Sequence, residues 1–257
     1  TKQHRALDTL IYLGGVEGLD TVAVTDTHIE IGAAATYTDA QAALAAPYPD
    51  VGELIRRLGS VQVRNAGTIG GNIGNASPIG DMPPALIALG ASLVLRRGGT
   101  RRELPLDEFF LDYRKTALGR GEFIERVRVP LAAPDRQFRA YKISKRFDQD
   151  ISAVCGAFSL VLEHGRVGDI RLCYGGMAAT PRRAQVCEQA LIGRRWTEAS
   201  VASVLPVLDG CFTPLSDMRA GAAYRRLVAR NLLRKFQLET AGRPGATRLL
   251  AGERISA

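Results

Sequence analysis

Residues 62–84, QVRNAGTIGGNIGNASPIGDMPP, are the stretch on which the reading of this chain turns. They hold Gly67, Gly70, Gly71, Gly74 and Gly80, with Asn65, Asn72 and Asn75 set between them. Glycine lets the backbone take positive φ and come close to a ligand, and asparagine tolerates the same geometry while adding a side-chain hydrogen bond. Successive N–H groups in such turns make concave anion sites. The spacing supports either a phosphate-binding turn or a tight irregular connection between two elements. No Gly-Lys-Ser/Thr follows, so it is not a Walker loop. Nor is it a dinucleotide fingerprint, because the G-x-G-x-x-G spacing and the flanking strand and helix are missing.

Upstream, Val22 and Val24, then Ile29 and Ile31, alternate with polar residues around Thr25-Asp26-Thr27, the pattern of a hairpin. Thr38 followed by Gln41 is spaced as a capping box opening a helix through Leu44. Asp50 and Glu53 repeat that spacing, with Leu54, Ile55 and Leu58 on one face and Gly59 as the stop. Downstream, Leu93 to Leu95, a Gly98-Gly99 turn and residues 102–106 predict a second hairpin. The Pro130-Leu131-Ala132-Ala133-Pro134 stretch is the best internal boundary, following the alternating Val127 and Val129. Strands are predicted over 138–144, 151–162 and 167–174, with a turn at Gly165, then helices over 182–191, 198–208 and 217–239 and a loose tail over 241–257. Strands followed by helices make an α+β pattern. In the last helix Arg226, Arg230 and Arg234 share a face, either solvated or docking a partner, and Tyr224, Leu227, Val228, Asn231 and Leu232 form the side expected to pack.

The 257 residues are 46% hydrophobic, 23% charged and 6% aromatic, enough for one large domain or two small ones without disulfides. The net charge is +8, carried by five lysines and otherwise by arginine. Basic residues run in pairs along the whole chain without interleaved aromatics, which argues against a nucleic-acid platform, though a non-enzymatic basic module stays open as a second class. Cys155, Cys173, Cys187 and Cys211 form no C-x-x-C, so neither a zinc site nor an iron–sulfur cluster is written here, and they read as small buried thiols in a reducing compartment. His4, His28 and His164 have no ligand spacing. No G-x-S-x-G and no favoured Cys/His pair occurs. No apolar run approaches the ~20 residues of a membrane span, and the first residues are not a signal peptide.

Four stretches, in order, resemble the FAD-binding domain of the molybdenum hydroxylase flavoproteins, in the xanthine dehydrogenase branch. They are TIGGNIGNASPIGDMPP at 68–84, FFLDYRKTAL at 109–118, AYKISKRFDQDIS at 140–152 and LCYGGMAATPRRA at 172–184. The resemblance runs from about residue 1 to about 240. It implies a flavin-binding α+β unit of the PCMH type over 1–131, then an antiparallel sheet with helices over 138–240. Carried over residue by residue, it implies that Thr68, Ile69, Gly70, Gly71 and Asn72 cradle the FAD diphosphate, with Gly74, Asn75, Gly80 and Asp81 continuing along the ribityl and ribose part. Asp81 is otherwise a loop-capping residue before Pro83. Leu58 and Gly59 match positions lining the flavin or adenine pocket, Leu58 being equally plain core. Ile124 matches a contact of the isoalloxazine ring. Lys142 matches a flavin-adjacent lysine whose charge would stabilise the reduced flavin, against the alternative of an exposed strand lysine. Arg146, Asp148, Gln149 and Asp150 match a polar loop on the nicotinamide-facing side.

The resemblance further implies NAD as acceptor, with a molybdopterin-binding large subunit and two [2Fe–2S] clusters on segments other than this one. The assembly would be a heterotetramer or larger, cytoplasmic, with no nucleic acid and no membrane. Purine hydroxylation is the activity implied, the alternative being a flavoprotein subunit of an aldehyde or carbon monoxide oxidising enzyme. The family's earlier glycine loop and its iron–sulfur cysteines are absent, and the chain does not begin with Met, so it is expected to be a fragment starting just inside the flavin domain.

Overall fold

The computed structural model describes residues 6, 8–131 and 133–242. Its first half runs β1 (Val22–Val24), β2 (His28–Gly32), α1 (Tyr37–Ala45), α2 (Pro49–Arg56), α3 (Val61–Ala66), α4 (Ile69–Gly74), α5 (Met82–Leu89), β3 (Ser92–Arg97), β4 (Thr100–Pro105), β5 (Phe110–Asp112), β6 (Lys115–Thr116) and β7 (Phe123–Pro130). The second half runs β8 (Arg136–Ile143), β9 (Val154–Glu163), β10 (Arg166–Gly175), β11 (Arg182–Arg183), α6 (Gln185–Leu191), α7 (Glu198–Gly210) and α8 (Ala222–Thr240). The α+β class holds.

Two antiparallel sheets carry the architecture, one in strand order β1-β2-β7-β3-β4 and one in order β11-β10-β9-β8. In the first, Ile29, Ile31, Leu93, Leu95, Val127 and Val129 alternate onto one fully buried face. The opposite face is charged, with Glu30 paired to Arg126 and Arg128, and Glu103 to Arg128. The second sheet is covered on both sides, so β9 reads as an almost unbroken buried run, as strands without a solvent face do. One face presents Val154, Phe158, Leu160, Leu172 and Tyr174 to the helical layer of α6, α7 and α8. The other is lined by small side chains, Ala140, Ala157 and Cys173 lying side by side in register. There α5 packs on β9 and β10, and all eight of its residues are buried.

Both hairpins read from the sequence form, and Gly90 ends α5 in the left-handed region at φ +78°. Both caps are displaced. Thr36, not Thr38, caps α1 and makes a capping box with Asp39, because Thr36 is the last extended residue before the helix. α2 has no side-chain cap; Pro49 at its first turn, with φ preset, starts it. Asp50 instead accepts the Ala140 N–H of β8, 3.1 Å away. Residues 182–183 are strand rather than helix, and α8 begins only at Ala222. Asp217 accepts the N–H groups of Arg219 and Ala220, which holds the preceding residues in a turn. Leu232 packs as read, but Tyr224 and Leu227 do not: they are 50% and 55% exposed, and α8 buries Arg225, Ala229, Leu232, Leu233 and Phe236. Arg230 is paired with Asp209 on α7.

Arg225 is the largest fully buried side chain. Its guanidinium donates to the carbonyls of Ala153 and Gly176, where β9 begins and β10 ends, and to Asp217 at 2.8 Å. Arg225→Ala strips those buried carbonyls of their donor and is expected to cost about 3 kcal/mol, read as a lower urea midpoint by far-UV circular dichroism; an unmoved midpoint refutes that role.

A β-bulge in β7 puts Glu125 out of register between Arg126, opposite Val94, and Ile124, opposite Leu95. The Glu125 carboxylate takes Arg101 at 2.6 Å and Arg96 at 2.7 Å. The Arg101 hydrogen bond, helped by Arg96 and opposed by burial, brings its pKa from the ordinary 4.5 down to about 2. A depressed carboxyl stabilises the fold fully above its unfolded pKa and loses that contribution as pH falls through the folded one. Wild type is therefore expected to lose stability between about pH 4.5 and pH 2, and Glu125→Gln to flatten that limb in thermal melts taken across the range.

Candidate functional site

A cavity of about 760 Å³ opens on the first sheet and the glycine-rich helix α4, within the size range of cofactor sites. Its wall includes Ala33, Thr36, Thr68, Gly70, Gly71, Gly74 and Ile124, and its rim Tyr12, Asp20, Asp39, Asn65 and Glu122. The glycine segment is not an irregular loop. Over its first part it is two short helices, α3 and α4, joined at Gly67 and each opened by a hydroxyl (Ser60 accepts from Val63, and Thr68 from Gly71 at 2.9 Å), and only residues 75–81 form an irregular connection to α5.

Each glycine here has its own reason. A Cβ on Gly70 would lie 2.5 Å from Ala33, so Gly70 lets α4 lie against the strand end after β2. A Cβ on Gly71 would press on its own cap, Thr68 Oγ1, at 2.7 Å. Gly74 is different: its Cβ would meet only Ile124, at 3.7 Å, so its missing side chain serves the cavity rather than the packing.

Five of the thirteen residues read as cofactor-binding thus share one wall: Thr68, Gly70, Gly71, Gly74 and Ile124. Ile69 is wholly buried in the core beneath. Asn72 is half-buried, and its Oδ1 has no hydrogen-bond partner. Asn75 is exposed just beyond α4, and Gly80 sits in a turn closed by its N–H on Ser77 O. Leu58 packs against the first core, and Gly59 turns the chain at φ +56°, with Arg64 Nη1 donating to the carbonyls of Arg56, Leu58 and Gly59. Neither lines the cavity.

Asp81 and Lys142 lie off the cavity wall, each only 6% exposed, and they bond to each other. Lys142 Nζ donates to Asp81 Oδ2 at 2.6 Å and to Ser152 Oγ at 2.9 Å, while Ser152 Oγ donates to Asp81 Oδ1 at 2.5 Å. Asp81 starts α5 without capping it, so it is neither a loop cap nor an open acceptor, and Lys142 is not an exposed strand lysine. Ser152, missed in the sequence, closes this ring; a serine beside an apolar strand carries no signal of its own. The nearby Tyr37 hydroxyl is buried without a partner, and burial, with the Asp81 charge second, raises its pKa.

The polar loop at 146–150 is exposed and braced by Asp150, which accepts from the Arg146 and Ile151 N–H groups. Arg57 reaches over from the end of α2, its guanidinium 4.5 Å from the Phe147 ring centre and donating to Phe147 O and Lys142 O.

The electrostatics of the cavity are one-sided. Among the described residues no lysine or arginine lines it, and the charged side chains that do are Asp20, Asp39 and Glu122. Arg102, on the far side of Glu122, forms hydrogen bonds that hold its carboxyl at about 2, aided by the Gly119 N–H. At the start of α4 the Ile69, Gly71 and Asn72 amides are already bonded to Ala35 O, Thr68 Oγ1 and Thr68 O, so Gly70 is the amide open to an anionic part of a ligand, and the rim carboxylates suit hydroxyls. Glycines that bare the wall and carboxylates at the rim fit a long ligand that carries hydroxyls, as FAD does.

Among the described residues, no helix is long and apolar enough to cross a membrane, and no group of three His, Cys, Asp or Glu side chains is placed to hold a metal ion.

Comparison with known proteins agrees with this geometry. A xanthine dehydrogenase of Emericella nidulans is 32% identical over 241 residues, covering 88% of this chain and 18% of that protein, and a nicotinate hydroxylase of the same organism is 37% identical over 193 residues, covering 72% and 14%. The chain spans less than a fifth of the length of either. The glyceraldehyde dehydrogenase medium chain of Sulfolobus acidocaldarius is 30% identical over 236 residues, covering 91% of this chain and 83% of that one. Among solved structures, a carbon monoxide dehydrogenase from Hydrogenophaga pseudoflava superposes with a TM-score of 0.80 at 28% identity, covering 86% of this chain and 77% of that chain. Residues 1–132 match the FAD-binding domain in molybdopterin dehydrogenase, and residues 139–240 match the CO dehydrogenase flavoprotein C-terminal domain. The chain belongs to this family, the FAD-binding flavoproteins of the molybdenum hydroxylases.

Proposed function

We propose that this chain is the FAD-binding electron-transfer part of a xanthine dehydrogenase, dividing into 1–131 and 138–240 with a tail at 241–257. It would accept electrons from a molybdenum centre through [2Fe–2S] clusters and reduce NAD+ while hypoxanthine and xanthine are oxidised to urate. The observation that carries the reading is the cavity walled by α4 and bare of side chains at Gly74, with Ile124 facing it. FAD, when bound, would supply the redox chemistry, linking one-electron donors to a hydride acceptor.

The chain's own residues bind and orient. Gly70 would offer its amide to the diphosphate, with Thr68 fixing the turn by accepting the Gly71 N–H. Gly74 and Asn72 would follow the ribityl chain, and Ile124 would pack on the ring. Ile69, Leu58, Gly59, Asn75, Gly80 and the Asp81–Lys142 pair would frame that wall from behind. With Lys142 already paired to Asp81, the electrostatic field reaching a bound flavin would be that of an ion pair rather than of a lone ammonium.

The molybdopterin-binding large subunit and the iron–sulfur domains would be partners in a cytoplasmic heterotetramer or larger, with no part for nucleic acid or membrane. Supporting the purine substrate are the stretches at 109–118 and 172–184 and the xanthine dehydrogenase relative. The second reading keeps FAD and changes the substrate, and the greater identity to a nicotinate hydroxylase favours it.

Two measurements test this. Gly74→Leu is expected to fold normally while lowering the ratio of flavin to protein absorbance at least about tenfold, a loss of about 1.4 kcal/mol or more; an unchanged ratio removes α4 from the site. In the full-length complex, kept anaerobic, NADH is expected to bleach the flavin band. Flavin that stays oxidised discards NAD as acceptor and leaves the FAD site standing, whereas absence of flavin defeats the reading as a whole.

A further inference from the structure

We propose that Cys187 and Cys211 are an oxidisable pair, a modification site in the helical layer that hydrogen peroxide closes to a disulfide. Their sulfurs lie 3.7 Å apart, in contact but unbonded. Cys187 sits wholly buried in α6, and Cys211, half-buried, follows the last residue of α7. A disulfide needs the sulfurs about 2.05 Å apart, so closure asks for a movement of about 1.6 Å. Cys211 is placed to make it, because the chain leaves the helix there and runs irregularly over 211–221 before α8. Each sulfur otherwise has only a weak bond to a carbonyl of α7: Cys187 to Val204 at 3.8 Å and Cys211 to Val207 at 3.4 Å.

The two thiols divide the work by their surroundings. Burial, then the neighbouring sulfur, raises the pKa of Cys187, so it is shielded from direct attack. Cys211 is the one peroxide reaches. Its sulfur attacks hydrogen peroxide and becomes a sulfenic acid, with release of one water. The Cys187 sulfur then displaces the hydroxyl of that sulfenic acid, the thiol proton leaving with it as a second water. Two thiols and one peroxide thus give one disulfide and two waters, the peroxide taking both electrons. The bond would tether α6 to the end of α7. Cys155 and Cys173 are buried on the neighbouring strands β9 and β10, with no hydrogen-bond contact between their sulfurs among the described residues, and serve as internal controls.

The test uses the full chain, freed of reductant, treated with hydrogen peroxide, then denatured and labelled with N-ethylmaleimide. Two of the four thiols are expected to label, and a tryptic digest to join residues 184–194 to residues 196–219. The melting temperature should rise by several degrees and return with dithiothreitol, because the cross-link restricts the unfolded chain. Cys211→Ser, and independently Cys187→Ala, should leave every remaining thiol free after the same treatment. Four labelled thiols, a sulfinic acid on Cys211 without cross-link, or dimers joined through Cys211 would each overturn the proposal. Flavin content plays no part in the readout, so the outcome is independent of the cofactor reading.

Discussion

The structure depends on α5 being buried from both sides. An eight-residue helix that is apolar around its whole circumference has no face for water, so it is stable only between two layers. One layer is the core of the first half; the other is the small-residue face of β9 and β10. Ala157 and Cys173 let the helix backbone come close, and larger residues there would hold it off. The ion pair at the start of α5 belongs to the same constraint. Asp81 and Lys142 come from opposite sides of this junction, and taking two charges out of water is costly unless their remaining hydrogen-bonding positions are met. Ser152 meets one on each partner. Losing either charge alone leaves the other buried and unpaired, so both ends of the ring are needed where the halves meet.

That junction explains why the cavity has the chemistry it has. The one lysine in the glycine segment's neighbourhood is spent on Asp81, and Arg102 is spent on Glu122. What remains for a ligand is backbone and carboxylate. At helix α4 the Gly70 amide is the one left open to an anion, while the rim acids suit hydroxyl donors.

Legibility in the sequence followed the range of the interactions. The hairpins and the two-sided strand β9 were readable because alternation and unbroken apolar runs are local. Caps were displaced by two residues at Thr36 because Thr38 and Gln41 imitate the same spacing, and only the tertiary path, with Tyr37 N–H bonded to Gly67 O, decides between them. Of the residues on the cavity wall, Thr68, Gly70, Gly71, Gly74 and Ile124 were named from motif resemblance. Asp39 and Glu122 were not, nor was Ser152 in the ring beside it, which acquires its place from partners brought near only by folding. Tyr224 and Leu227 misled for a related reason: fully buried Arg225 takes the inward position that hydrophobicity alone would give to them.

The bulge at Glu125 shows how one irregular residue serves both stability and site. Inserting it in β7 breaks the alternation, so Ile124 faces the cavity while the Glu125 carboxylate turns to Arg96 and Arg101 on the far side of the sheet. Its carbonyl also accepts the Ala33 N–H, at 3.0 Å, tying the strand to the residue against which Gly70 is packed. Without the extra residue, Ile124 would fall out of phase and the α4 wall would lose the surface it faces. The arginines that clamp Glu125 therefore act on the cavity at a distance, by fixing the register of the strand that completes it.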